Sequence, residues 1–159
     1  VIRRARPQDN PRIRQVLEQV IEELEGPGQL EIVRDAELDS MYGSFSKPRS
    51  GYFVLVRRNV IVGGAGFAEL GAGEADTAEI RKFSLLPEVR SLGFGRKLLQ
   101  CCVDAAQEEG FRAIRIELAS AMIEARRLFE RFGFRELKSA QEKHGQYSFD
   151  CCYQLDLKV

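Results

Sequence analysis

The chain of 159 residues has no tryptophan, a single histidine, two methionines and five prolines. Its four cysteines stand as two adjacent pairs, Cys101-Cys102 and Cys151-Cys152, and neither pair has the Cys-x-x-Cys spacing of a zinc or redox centre. With His144 alone beside them, metal chemistry is not expected. No apolar run approaches the roughly 20 residues that cross a bilayer, and no stretch reads as a secretory signal. Net formal charge is +0, so no bulk attraction to nucleic acid or to an anionic membrane follows. Cysteines without a disulfide framework suit a reducing compartment, so the expectation is a cytoplasmic protein. Repeats, linkers and low-complexity tracts are also missing, and residues 1–159 are expected to form one domain.

What is present is ordinary for a globular chain, with 44% hydrophobic and 30% charged residues. Periodicity predicts a short edge strand at 1–5. Asn10-Pro11 then opens a helix, a side-chain cap followed by proline in the first turn. Ile13, Val16, Leu17, Val20, Ile21 and Leu24 lie on one face of it, and Gly26-Pro27-Gly28 ends it. A shorter helix is expected over 35–45. Tyr52–Val56 and Val60–Val62 flank Arg57-Arg58-Asn59 as a hairpin. The second of these strands runs on to Leu70, its glycines allowing close packing or a bulge. A strand over 78–86 stops at Pro87. Leu98, Leu99, Cys102, Val103 and Ala106 are the buried stripe of a helix closed by Gly110. A strand at 113–118, a helix at 122–132, a strand from Phe134 to Leu137 and a last strand over 147–157 complete a mixed α/β sheet with helices packed on it.

The most informative stretch is the turn Arg90-Ser91-Leu92-Gly93-Phe94-Gly95, between a strand and a helix. Two glycines there let main-chain N–H groups approach a bulky anion. The helix adds unpaired amides and the positive end of its dipole. Arg90, Arg96 and Lys97 crowd the same end, where each cation costs a few tenths of a kcal/mol or more unless an anion is bound. The turn reads as a pyrophosphate cradle. Taken alone, Gly93 and Gly95 also fit an ordinary tight turn.

Three segments carry a resemblance. Arg90–Gly95 matches a Gln/Arg-x-x-Gly-x-Gly/Ala pattern, and an Ala-Glu-Ile strand ending in Leu-Pro-Glu precedes it. Downstream, Ala125-Arg126-Arg127-Leu128-Phe129-Glu130-Arg131-Phe132-Gly133-Phe134 is similar to Ala-x-x-Leu-Tyr-x-x-x-Gly-Phe. On these residues the chain resembles the GCN5-related N-acetyltransferase (GNAT) superfamily, which uses acetyl-CoA. The resemblance implies an α/β (α+β) fold: a mixed, mostly antiparallel sheet with a splayed central strand pair and about four helices packed on its faces. It also implies a bulge in the strand before the glycine turn. Backbone groups of Phe83, Ser84 and Leu85 then bond the pantetheine arm much as an added strand would. Strict alternation does fail from Phe83 to Leu86. Amides of Arg90, Ser91, Leu92, Gly93, Phe94 and Gly95, with Arg96, are implied to hold the pyrophosphate.

Direct acetyl transfer needs a neutral amine. An alkylamine with a pKa near 10.4 is mostly protonated at neutral pH, so a carboxylate or a water chain must take its proton. By resemblance, Glu79 and Glu117 stand where family members keep such a base. Each is equally readable as half of a surface ion pair, Glu79 with Arg81 and Glu117 with Arg115. The family's tyrosine, which protonates the departing thiolate, is Phe129 here, and its asparagine before the same helix is Met122. Tyr147, Tyr153 or a cysteine are the substitutes to weigh, against packing in the core. A thiol of pKa about 8.5 lies only ~1.5 units above neutrality, so no dedicated acid is strictly required.

The acceptor is expected to be an amine, on a small molecule or a protein. Glu18, Glu22, Glu23, Glu25, Glu31, Asp35, Glu37 and Asp39 make the first helical region acidic, which reads as attraction for a cation or as a solvated face. Tyr42, Phe45, Tyr52 and Phe53 read as walls of an acceptor pocket or as core. A homodimer is compatible with the resemblance, though no exposed apolar stripe argues for it. Two alternatives remain: an acyl-CoA-binding sensor that lost turnover, and a cradle for a different nucleotide anion.

Overall fold

A computed structural model describes residues 1–25, 36–71, 73–120, 122–137 and 150–158. Strand β1 (Ile2–Arg4) leads through a 3-10 turn at Pro7–Asp9 into helix α1 (Asn10–Glu25). A second 3-10 turn (Ala36–Asp39) precedes the short helix α2 (Met41–Ser44). Strands β2 (Gly51–Arg57), β3 (Val60–Glu69) and β4 (Thr77–Leu85) follow, then a 3-10 turn at Pro87–Val89 and helix α3 (Phe94–Glu108). Strand β5 (Ala113–Leu118), helix α4 (Ile123–Phe132), β6 (Arg135–Glu136) and β7 (Cys151–Asp156) complete the order.

The strands form one sheet in the order β1-β2-β3-β4-β5-β7-β6. Every pairing is antiparallel except β4 with β5, which run parallel with α3 as their crossover. From Ile61 to Phe67 successive residues of β3 are all buried, so both faces of the sheet are covered. Helices α1 and α3 each pack on β3, and Tyr153, Phe67, Phe111 and Phe129 are among the largest wholly enclosed side chains.

Two irregularities in β4 position the site. The first lies against β3, where Gly64 pairs with Ser84 but Gly66 pairs with Arg81, so β4 carries one extra residue. Lys82 sits in that bulge with φ +54°, a left-handed conformation that a non-glycine residue rarely takes. The second lies against β5. Only Thr77, Ala78 and Glu79 find partners (Ala113, Ile114 and Arg115), although β4 continues to Leu85 and β5 to Leu118. Beyond Glu79 the two central strands part, as the resemblance implied.

Several expectations shift. The shorter helix breaks in two, because Ser40 is extended (φ −153°, ψ 91°) and its hydroxyl accepts from the Gly43 amide as the cap of α2. Asn10 does not cap its own helix: its side chain accepts from the Tyr42 amide at 2.7 Å and donates to Ser40 Oγ at 3.4 Å. The strand expected from Phe134 to Leu137 contracts to Arg135–Glu136. The stop at Gly26-Pro27-Gly28 and His144 lie outside the described residues.

Candidate active site

The opening between β4 and β5 is lined by main chain, and hydrogen-bond phase decides which groups face it. The Leu86 amide donates to Val62 O at 2.9 Å, which fixes the alternation along β3 and β4. Ser84 therefore bonds back to Gly64, whereas the Leu85 main chain is turned toward β5. Phe83 lies in the bulge and has no partner on β3. The Leu85 carbonyl accepts from Arg90 Nε at 3.0 Å. Its N–H and the groups of Phe83 thus border the opening.

After β4 the chain turns through Ser91 (φ +62°) and Gly93 (φ +87°), two left-handed residues that bring successive N–H groups to one side. The first turn-to-helix bond runs from the Lys97 amide to Gly93 O at 3.3 Å. Among the described residues, the amides of Ser91 to Arg96 make no hydrogen bond. Six donors are thus left without a protein partner at the positive end of α3. A Cβ built on Gly93 meets nothing within 4 Å, so that glycine serves backbone conformation. Gly95 has a different reason: a Cβ there lies 3.0 Å from Leu128 Cδ2 and 3.4 Å from Leu85 Cδ1, so it lets α4 pack against the turn.

The cations of this turn have protein partners. Arg90 forms a two-pronged bond with Glu23 of α1, at 2.7 and 2.6 Å, and this holds the Glu23 carboxyl below its ordinary range. Arg96 lies over the ring of Phe132 at 5.1 Å, and Lys97 lies 5.8 Å from that of Phe94. Of the three cations, Arg90 has a carboxylate partner, whereas Arg96 and Lys97 rest against aromatic rings. Among the described residues, the amides of this turn, more than its side chains, are the groups without a protein partner.

Glu79 and Glu117 come to one face of the sheet. Glu79 lies beside Arg115 across the parallel pair, Glu117 stands two residues further along β5, and Cys152 lies beside Glu117. Burial pushes the Cys152 thiol up, Arg115 pulls it down, and Glu117 and Glu79 add to the rise. Both carboxylates thus act on the same spot. Glu79 Oε1 accepts from Arg81 Nε at 2.7 Å, the ion pair read from the sequence. Arg115 instead pairs with Glu74 at 2.8 Å and Gln154 at 2.6 Å. Tyr147 lies outside the described residues. Tyr153 is wholly buried and its hydroxyl accepts from Arg126 Nε at 3.0 Å and donates to Glu130 at 3.3 Å. Phe129, where the resemblance places a tyrosine, is also wholly enclosed. Cys151 and Cys152 pack in β7 as free thiols.

Glu31 and Asp35 lie outside the described residues, and most of the described acidic side chains have cationic partners. Arg14 lies 3.7 Å from Glu18 and 3.6 Å from Asp39, and Glu37 joins Arg81 at 2.9 Å and Lys82 at 3.3 Å. Tyr42, Phe45 and Tyr52 line a cavity of ≈ 290 Å³ with Arg4, Ser46 and Ser50. Phe53 lies apart from it, under the Arg4 guanidinium at 5.0 Å.

A mixed sheet parted at the one parallel pair among the described residues, with an amide-lined turn at the head of the following helix, defines the class by its architecture. Comparison with known proteins gives the class its family. Residues 16–134 match the acetyltransferase (GNAT) family. The chain belongs to that family and is an acetyltransferase. It is 33% identical over 160 residues to an Escherichia coli protein named uncharacterized N-acetyltransferase YjgM, covering 100% of this chain and 91% of the relative. An acetyltransferase of the GNAT family from Staphylococcus aureus has the same fold, with a TM-score of 0.82, 18% identity and 99% of both chains covered. A putative acetyltransferase from Salmonella typhimurium, YncA, solved with acetyl-CoA, superposes with a TM-score of 0.78 at 22% identity, over 100% of this chain and 94% of that one.

Proposed function

We propose that the protein transfers an acetyl group from acetyl-CoA directly to an amine nitrogen, with both substrates bound together. The observation that carries this reading is the set of six unbonded amides from Ser91 to Arg96, beside a gap whose edge is the main chain of Phe83 and Leu85. The cradle fits the diphosphate, and the gap fits an arm that bonds as a strand does. Acetyl-CoA supplies the acyl group already activated as a thioester. Ser91, Leu92, Gly93, Phe94, Gly95 and Arg96 hold its diphosphate, Arg90 braces the turn through Glu23 and Leu85 O, and the main chains of Phe83 and Leu85 align the arm.

The residues then have one task, to manage protons. As the C–N bond forms and the C–S bond breaks, the amine proton passes to Glu79 or Glu117, directly or through water. The thiolate leaves without help from residue 129, because phenylalanine has no proton to give. The acceptor is a small-molecule or protein amine. Release of free thiol from acetyl-CoA with a panel of amines tests the reading. Binding of CoA without release would favour the alternative, an acyl-CoA sensor, for which Phe129 and Met122 at the expected catalytic positions are the supporting observation.

A further inference from the structure

Tyr52 is 3% exposed, and its ring leaves β2 to cross the glycines of β3. A Cβ on Gly64 would lie 2.6 Å from its hydroxyl oxygen, and a Cβ on Gly66 would lie 2.7 Å from its Cδ2. No side chain larger than hydrogen fits beneath the ring at either position. The two glycines are thus a trough for one tyrosine. At the far end of the trough the Tyr52 hydroxyl donates to the Lys82 carbonyl at 3.0 Å. Lys82 is the residue in the left-handed conformation, in the bulge that sets β4 off its register. Phe45, with its ring centroid 5.4 Å from that of Tyr52, covers the ring from the side of α2.

We infer that Tyr52 is a positioning residue for the cofactor: its hydroxyl holds the β4 bulge that turns Phe83 and Leu85 toward the gap. The inference rests on the proposed acetyl-CoA site. A left-handed conformation at a lysine costs about 1–2 kcal/mol and persists only where surrounding bonds enforce it. A ring locked in a trough, ending on the carbonyl of that lysine, is such a bond. Burial pushes the phenol strongly up, so it stays protonated, and a donor, at neutral pH. Ser84 Oγ, buried close enough to pull the phenol the other way, makes no hydrogen bond among the described residues. The Tyr52 hydroxyl thus reaches the bulge from β2, at the Lys82 carbonyl.

Tyr52→Phe keeps the ring and removes the donor. In the free protein, amide exchange across Lys82–Leu85 should accelerate by about ten-fold while the rest of the sheet keeps its protection. Calorimetry should show CoA bound about five- to twenty-fold more weakly, with kcat at saturating acetyl-CoA within about two-fold of the parent. Ile114→Val, which trims a wholly buried side chain of β5 where that strand still pairs with β4 at Ala78, should lower Tm and leave CoA affinity at the parental value. Unchanged exchange in Tyr52→Phe, or an equal loss of affinity in Ile114→Val, would overturn the inference. Failure of the parent protein itself to bind CoA would instead remove the proposed function, and the exchange result would still judge Tyr52.

Discussion

Phe129 stands edge-on to Phe83, with ring centroids 5.6 Å apart and planes inclined by 63°, and its other side meets Phe134 at 5.1 Å. A residue of the last long helix is thereby packed against the strand that borders the cofactor gap. The contact is structural, and it occupies the place where the resemblance puts a phenol.

Truncation at this position should act on stability first. Phe129→Ala should lower stability by about 3–5 kcal/mol, as expected for a wholly buried aromatic ring, and chemical denaturation measures it. Phe129→Tyr should change kcat by no more than about two-fold, because a thiol of pKa near 8.5 departs unassisted at neutral pH. A larger gain in the tyrosine variant would show that thiolate protonation limits turnover.

The two glycines of the turn should separate. Gly93→Ala forces a side chain into φ +87°, at about 1–2 kcal/mol, and should weaken CoA binding by about ten-fold. Gly95→Ala presses on the flexible end of Leu128, which can yield, so CoA affinity should stay within about three-fold. Equal losses in both would show that a side chain at position 95 also obstructs the anion.

Proton removal is tested by Glu79→Gln and Glu117→Gln with pH–rate profiles. At least one should lose about 10²-fold or more in kcat, the usual size of a general-base contribution. Parental rates in both variants at every pH would withdraw the two carboxylates from the chemistry.

Asp9 is buried and accepts from Arg3 at 2.8 and 3.1 Å and from the Arg6 amide at 2.7 Å. The Arg3 bonds lead in holding its carboxyl below the ordinary range, against a rise from burial. A group depressed in the folded state adds stability above its unfolded pKa and loses it as pH falls through the folded one. Asp9→Asn should therefore cost about 1–3 kcal/mol at neutral pH and make the acid limb of the stability curve shallower. An unchanged acid limb in thermal melts would contradict this.

Much of the fold was legible because local signals and burial agree. Ala113–Leu118 alternates and is a strand, and the stripe of Leu98, Leu99 and Cys102 is a buried helix face. The glycine turn was legible because left-handed geometry demands glycine at 93. What stayed hidden depends on contacts far apart in sequence. Asn10 looks like a cap, yet its partners are Ser40 and Tyr42, some thirty residues on. Arg90 reads as a phosphate ligand, but Glu23 lies within reach only once α1 is folded against β4. Tyr52 reads as a pocket wall. Its hydroxyl gains meaning from the Lys82 carbonyl across two strands, and the spacing Gly63-Gly64-Ala65-Gly66 was the available hint.

The central claim is that amides from Ser91 to Arg96 grip the diphosphate of CoA. Titration of isotopically labelled protein with CoA, read as amide shifts in two-dimensional NMR, addresses those atoms directly. The expected result is that the largest shifts fall on Ser91 to Arg96, followed by Phe83 and Leu85. Saturating CoA that leaves these signals in place, in protein whose spectrum is otherwise that of a folded chain, would contradict the claim.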